Sequence, residues 1–347
     1  MQVWRNWQTR TVQVRMRAIS CRFKSCYLHQ KLESLQSRDS FFIISAQFTL
    51  ILLTFIQKFC IIIQNLKIKW GDYLRKIALI VNFDKKNALL VAEELISLLQ
   101  GKAQLFCPED DAYLLQGVIP KTEDELFSSC PIVAVLGGDG TIIATSKKCA
   151  PYKNILVGIN TGNLGYLSTM ESSNLNEVSK ILLSDDIHYD NRYMLCVRIY
   201  SSGQETAIYH ALNEIVLSRS ANSHLIDFTA YSEEKALCKY RADGMIIATP
   251  TGSTAYSLSA GGPILSPDTD AMVITPICPH MLKARSIVLP TKNIKIKASS
   301  LSELSVDGQF LCPIGEDDYI TIEKSQYTAR LTYNEELSFY DILQMKL

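Results

Sequence analysis

The chain has 347 residues, 47% of them hydrophobic, and its 35 Lys/Arg balance 35 Asp/Glu. That length leaves ample room for the cores of two globular domains. The balance is uneven along the chain: residues 1–73 hold 11 basic and 3 acidic groups, leaving 24 basic against 32 acidic in the remainder, which excludes a basic nucleic-acid surface.

Residues 1–30 carry six basic and no acidic side chains and show no hydrophobic period. Arg22-Phe23-Lys24-Ser25 can be encoded by a run containing the T-arm consensus of a transfer RNA, and His29-Gln30 can encode a terminal CCA. Residues 41–63 resemble the translation of an AT-rich spacer, and no Met lies between Met16 and Met170. The expectation is that residues 1–73 are a non-native extension, with translation starting near Leu74 from a non-ATG codon. The rival reading takes residues 41–57, which carry no charge, as a membrane span or signal anchor; Gln47, Gln57 and Lys58 weaken it, and no membrane partner is expected. Ten cysteines without a C-x-x-C pair read as reduced thiols of a cytoplasmic protein.

From Lys76 the pattern becomes orderly. Residues 77–81 form an apolar strand, 86–99 repeat apolar residues at helical spacing, and 103–106 offer a second strand. Residues 131–136 and 155–159 are further apolar runs, of the kind buried on both faces of a parallel sheet. A helix over 174–183 then closes an α/β domain spanning residues 74–188. Beyond it the period becomes alternating: 195–200, 207–217, 225–232, 294–298, 319–323 and 329–333 read as short strands. The fold class expected is therefore an α/β domain with a parallel sheet, followed by an all-β, sandwich-like domain over residues 189–333. Residues 334–347 form a C-terminal segment with helical character, expected to return to the first domain.

The run Gly137-Gly138-Asp139-Gly140-Thr141 follows the apolar strand 132–136 directly. In open α/β sheets ligands collect where such strands end. Glycines let backbone N–H groups approach a polyanion, and Thr141 is expected to cap a helix over 142–148. A carboxylate beside phosphates needs a task, such as accepting a proton or holding a cation, and Asp139 is the one acidic group here. The loop Asn160-Thr161-Gly162-Asn163-Leu164-Gly165-Tyr166 after the next strand would face this turn across a crevice wide enough for a nucleotide.

Arg241-Ala242-Asp243-Gly244 precedes a short apolar strand and a block of small polar residues from Thr249 to Pro263, with one aromatic ring, Tyr256. Hydroxyls and exposed backbone can hold ribose or an adenine edge, and the ring can cover a base. Asn213-Glu214 reads as a polar pair inside an apolar strand, costly unless partnered.

At these motifs the chain resembles the ATP- or polyphosphate-dependent NAD kinases of prokaryotic type. The likeness runs from about Lys76 to the C-terminus and includes residues 137–141, 160–167, 213–214, 249–263, 274–280 and Asp307-Gly308-Gln309. Gly-Gly-Asp-Gly alone is shared with diacylglycerol, sphingosine and 6-phosphofructo kinases; the block at 249–263 is the more specific part. The resemblance implies that Asp139 accepts the proton, that Gly137, Gly138, Gly140 and Thr141 form the phosphate loop, and that Gly140 touches the dinucleotide. It implies that Asn213 and Glu214 hold the adenosine half, and that His224, Arg241 and Asp243 line the rest of the site. Thr254, Ala255, Tyr256, Ser257, Leu258 and Ser259 would wrap the adenine, with Gln309 contributing. Ala284 and Ser286 stand where family members often carry an aromatic residue and a proline.

The implied reaction is transfer of a phosphoryl group from ATP, another nucleoside triphosphate or polyphosphate to the 2′-hydroxyl of the adenosine ribose of NAD. A divalent cation, Mg²⁺ or Mn²⁺, would accompany the donor, and a homo-oligomer, dimer or tetramer, is implied. No Walker A loop, G-x-G-x-x-G run or His-Glu-x-x-His helix competes. The alternatives are a lipid kinase of the diacylglycerol kinase type, which needs an apolar acyl channel, and a non-catalytic NAD(P)-binding regulator.

Overall fold

The computed structural model describes residues 74–347 except 163, 164, 169, 221–223, 335 and 336. The expectations for residues 1–73, the uncharged stretch at 41–57 among them, lie outside the described residues. Among the described residues no helix is long and apolar enough to cross a membrane.

The first part of the chain alternates strand and helix. It runs β1 (Arg75–Val81), α1 (Ala88–Leu99), β2 (Ala103–Pro108), β3 (Ile119–Lys121), α2 (Glu123–Ser129), β4 (Ile132–Gly137), α3 (Asp139–Cys149), β5 (Ile155–Asn160), β6 (Met170–Glu171) and α4 (Leu175–Leu183). Strands β3, β2, β1, β4 and β5 lie side by side in that order, all parallel. All six residues of β4 are buried, as its unbroken apolar run requires of a central parallel strand. Ala88, Ala92, Leu95, Ile96 and Leu99 of α1 recur at helical spacing and join α4 on one face of the sheet. Ile142 and Cys149 of α3 and Leu126 and Phe127 of α2 cover the other. Thr122 caps α2 by accepting the Glu125 N–H at 3.4 Å, and three acidic residues follow in its first turn.

The second part is strand-rich. It runs β7 (Tyr189–Ser201), β8 (Gln204–Ala211), β9 (Glu214–Arg219), β10 (Ile226–Ser232), β11 (Lys235–Ala242), β12 (Gly244–Ala248), α5 (Tyr256–Ser259), β13 (Ala271–Ile277), β14 (Ile287–Pro290), β15 (Ile294–Ala298), β16 (Ser302–Val306), β17 (Gln309–Ile314), β18 (Tyr319–Thr332) and α6 (Phe339–Lys346). The long β18 pairs parallel with β5 at one end and antiparallel with β7 and β15, so the parallel strands continue into antiparallel ones in one 12-stranded sheet. A separate six-stranded sheet, in the order β14-β13-β12-β9-β16-β17, packs face to face on that antiparallel end. Phe228, Met245, Ile247, Ile274, Ile296 and Leu304 lie fully buried between the two layers.

Two expected strands are organised differently. Residues 207–217 are two strands, β8 and β9, because the chain leaves one sheet at Leu212-Asn213 and enters the other. Residues 319–323 and 329–333 are one strand, β18, whose register slips against β7 between Lys324 and Thr328. A bulge breaks the alternation there without breaking the pairing.

Candidate active site

The Gly-rich turn sits at the end of β4, and Gly137 pairs with Asn160 at the end of β5, so the two loops lie side by side as their strands do. The helix begins earlier than the sequence suggested. Gly138, in extended conformation, is the N-cap and Asp139 the first helical residue, with no side chain capping the turn. Thr141 is therefore not the cap: it lies inside the first turn, where its hydroxyl accepts from Asn82 Nδ2 at 3.0 Å. A Cβ on Gly137 would stand 2.6 Å from Thr141 Oγ1, whereas one on Gly138 or Gly140 would meet nothing within 4 Å. The first glycine is thus required by packing, and the other two leave open space over a helix N-terminus suited to a phosphate.

Asp139 faces the neighbouring loop. Its Oδ2 accepts the Tyr166 N–H at 2.8 Å; its Oδ1 accepts the N–H groups of Leu167 and Ser168 and the Ser168 hydroxyl, each at 3.1 Å. A carboxylate offers about four acceptor positions, two on each oxygen. Oδ1 is saturated and Oδ2 keeps room for one more donor. Close approach makes this possible, since a Cβ on Gly165 would lie 1.9 Å from Asp139 Oδ1. Beneath the same loop, Asn160 Nδ2 and Thr161 Oγ1 are buried without a partner.

The second half of the site forms where β9 begins and β12 ends, Glu214 lying opposite Ala248. Asp307 organises it. Its fully buried carboxylate accepts the N–H groups of Leu212 at 3.1 Å, Asn213 at 2.8 Å and Glu214 at 3.1 Å. Lys147, two turns along α3 from Asp139, reaches the same carboxylate at 3.5 Å. Thr249 closes the strand end by bonding the Asn213 carbonyl through its N–H and the Leu212 carbonyl through its hydroxyl, at 2.8 and 2.6 Å. Asn213 Oδ1 and Glu214 Oε2 remain buried and unpartnered. Burial, and then the nearby Asp307 charge, push the Glu214 carboxyl up to about 7 against a counteracting bond from the Tyr256 backbone. The four orphaned atoms, two from each loop region, are groups that a polar ligand would satisfy.

Most hydroxyls of the 249–263 block hold the block itself. Ser253 bonds the Pro250 carbonyl at 2.6 Å and accepts from Leu265, and buried Ser257 pairs with Thr275 at 2.9 Å. Gly252 is pressed against Asn213, whose carbonyl oxygen would be 2.1 Å from a Cβ. Tyr256 and Ser259 stay exposed, while Thr254, Ala255 and Leu258 are half-buried. Tyr256 is thereby placed beside Glu214 with its ring free to cover a base.

Three of the expected site residues lie apart from this centre. Asp243 pairs with Arg219 at 2.6 Å, and the Arg241 carbonyl accepts from His280 at 2.8 Å, at the opposite end of β12. Five residue steps along the strand separate Asp243 from Ala248, on the order of 16 Å. His224 is exposed just ahead of β10. Gln309, also exposed, opens β17 from the turn in which Asp307 and Gly308 take positive φ angles of 48° and 76°. Sequence reasoning missed Asn82, Lys147 and Ser168 as neighbours of these groups. Lys147 lay on the helix expected over 142–148, but Asp139 did not, so their placement two turns apart on one helix emerged only with its earlier start. Among the described residues no three His, Cys, Asp or Glu side chains gather to hold a metal ion.

Residues 77–187 match the model for the ATP-NAD kinase N-terminal domain, and residues 212–333 that for the ATP-NAD kinase C-terminal domain. The NAD kinase of Symbiobacterium thermophilum is 38% identical over 279 residues, covering 78% of this chain and 98% of that protein. That of Carboxydothermus hydrogenoformans is 38% identical over 275 residues, covering 77% and 97%. Among solved structures, yeast NADH kinase complexed with NADH superposes with a TM-score of 0.71 at 26% identity, covering 78% of this chain and 86% of that one. An NAD kinase from Archaeoglobus fulgidus in complex with ATP gives 0.60 at 25% identity, covering 78% and 98%. By its two matched domains and the extent of these likenesses, the chain belongs to the NAD kinase family.

Proposed function

We propose that the protein transfers the terminal phosphoryl group of ATP to the 2′-hydroxyl of the adenosine ribose of NAD, giving NADP. The observation that carries the reading is the free acceptor position on Asp139 Oδ2, beside an open, uncapped helix N-terminus. Saturation of Oδ1 orients the carboxylate, and Oδ2 takes the hydroxyl proton as bonding to phosphorus develops. Asn213 Oδ1 and Glu214 Oε2 accept the hydroxyl and amino groups of the adenosine half, and Tyr256 covers its base. Catalysis is then mainly positioning. Nucleoside triphosphates other than ATP, and polyphosphate, are alternative donors, and a Mg²⁺ or Mn²⁺ ion would be carried by the donor's phosphates and water.

The separation of Arg241, Asp243 and His224 from Glu214 supports a homo-oligomer, in which those residues of one copy complete the pocket of another. Leu282, 95% exposed next to the Arg241 strand, gives that surface apolar area to bury. The protein acts in the cytoplasm. The test is NADP formation by the purified protein with NAD and each donor, compared with Asp139→Asn. Turnover that disappears in the variant while NAD binding persists supports a kinase. NAD binding without turnover in either protein would instead identify a regulator.

A further inference from the structure

Residues 212–214 carry two of the orphaned acceptors, and every backbone group of the three has a partner. Thr249 bonds the carbonyls of Leu212 and Asn213, and Asp307 donates its own N–H to the Glu214 carbonyl at 2.9 Å. The three N–H groups all go to the Asp307 carboxylate, those of Asn213 and Glu214 to Oδ1 and that of Leu212 to Oδ2. One acceptor position on Oδ2 is left, and Lys147 Nζ faces that oxygen at 3.5 Å. Fully buried and fully used, Asp307 has no capacity for a ligand of its own.

Its placement follows from local chemistry. Asp307 and Gly308 form the two-residue loop between β16 and β17, where Val306 pairs with Gln309 and both loop residues take positive φ. Asp-Gly favours that hairpin turn.

Lys147 arrives from elsewhere. It belongs to α3, the helix that begins with Asp139, and its ammonium meets the buried carboxylate from outside the six-stranded sheet. Without it Asp307 would be a buried charge held by neutral amides alone, and the turn would relax toward water. Asn213 Oδ1 and Glu214 Oε2 would move with it, because the backbone N–H groups of both residues hang from one oxygen of that carboxylate.

We infer that Lys147, acting through Asp307, is a positioning residue for the adenosine half of NAD, holding the β9 strand end where Asn213 and Glu214 meet the dinucleotide. The inference rests on the contacts proposed above for those two residues.

The experiment measures the dissociation constants of the full chain for NAD and for ATP by equilibrium dialysis, well below each variant's thermal midpoint. Lys147→Met keeps the stem and loses the charge; it should weaken NAD about tenfold and leave ATP within about twofold. Lys147→Arg should restore NAD affinity to within about threefold of the parent. Asp307→Asn should also weaken NAD, and the double variant with Lys147→Met should bind no more weakly than the worse single one, since the two act as a unit. A merely structural Lys147 would lower the midpoint and leave both constants unmoved. Lys147→Gln supplies a second, milder test should Lys147→Met fail to fold. NAD affinity within about twofold of the parent in the folded variants, equal losses for NAD and ATP, or no restoration by Lys147→Arg would overturn the role. A protein that binds NAD but makes no NADP with any donor would sink the kinase reading instead, and the dissociation constants would still decide the role of Lys147.

Discussion

Replacing Gly165 with alanine tests the catalytic geometry without touching a reacting group. The new methyl carbon would start 1.9 Å from Asp139 Oδ1, 2.3 Å from Ser168 Oγ and 2.6 Å from Asp139 Cγ. Carbon and oxygen cannot settle closer than 3.0 Å, so the carboxylate must retreat by at least about 1 Å. That retreat breaks some of the four hydrogen bonds that aim it, each worth about 1.5–3 kcal/mol as a bond to a charged group. A misplacement of about 1 Å costs on the order of 100-fold in rate. Gly165→Ala should therefore lower kcat for NADP formation about 100-fold in a coupled assay, with the KM for NAD changed only a few-fold, since Asn213, Glu214 and Tyr256 are untouched. Stability should fall by roughly 2–4 kcal/mol in urea. A variant with kcat within threefold of the parent would refute the role given to the Asp139 cradle.

Other perturbations probe the half of the site proposed to hold adenosine. Glu214 titrates at about 7 in the folded protein against an ordinary 4.5, so its contribution to stability is fully present below pH 4.5 and lost as pH rises through 7. The loss is on the order of 3 kcal/mol; Glu214→Gln should flatten it in urea midpoints taken from pH 4.5 to 8. Lys147→Met leaves the buried Asp307 charge with backbone partners alone and should cost about 1–3 kcal/mol. A double-mutant cycle with Asp307→Asn checks the coupling, and an interaction energy near zero would contradict it. Gly252→Ala sets a methyl group against the Asn213 backbone, which cannot yield, and should depress the thermal midpoint by several degrees and raise the KM for NAD. Leu282→Glu should reduce the subunit count read by sedimentation if the exposed strip at residues 281–282 joins copies.

The parallel half of the fold was legible because its strands are uninterrupted apolar runs. Residues 77–81, 131–136 and 155–159 each foretold a strand to within two residues, and 86–99 foretold α1. The crossing at Leu212-Asn213 was hidden, because a chain moving between two packed sheets keeps its apolar side chains buried in either layer and leaves the alternation unbroken. Asn213-Glu214 looked like a costly pair within a strand, whereas it starts one, with Asp307 supplying the partner for its backbone. That partner lies more than 90 residues away in sequence, and no local pattern announces it. The N-cap was misread for a similar reason: Thr141 has the right chemistry, but its hydroxyl is engaged by Asn82 from the end of a neighbouring strand. The block at 249–263 gave away its position but not its economy, since most of its hydroxyls bond inward.

Helix α3 carries Asp139 at its first position and Lys147 two turns later, bound to the aspartate that anchors the β9 strand end. It works as a calliper whose jaws are the Gly-rich turn and the β9 strand end, its opening set by about 12 Å of rigid backbone. A single residue inserted between those positions would turn one jaw by about 100° relative to the other. The length of this short segment is thus as strictly determined as the identity of any residue in it.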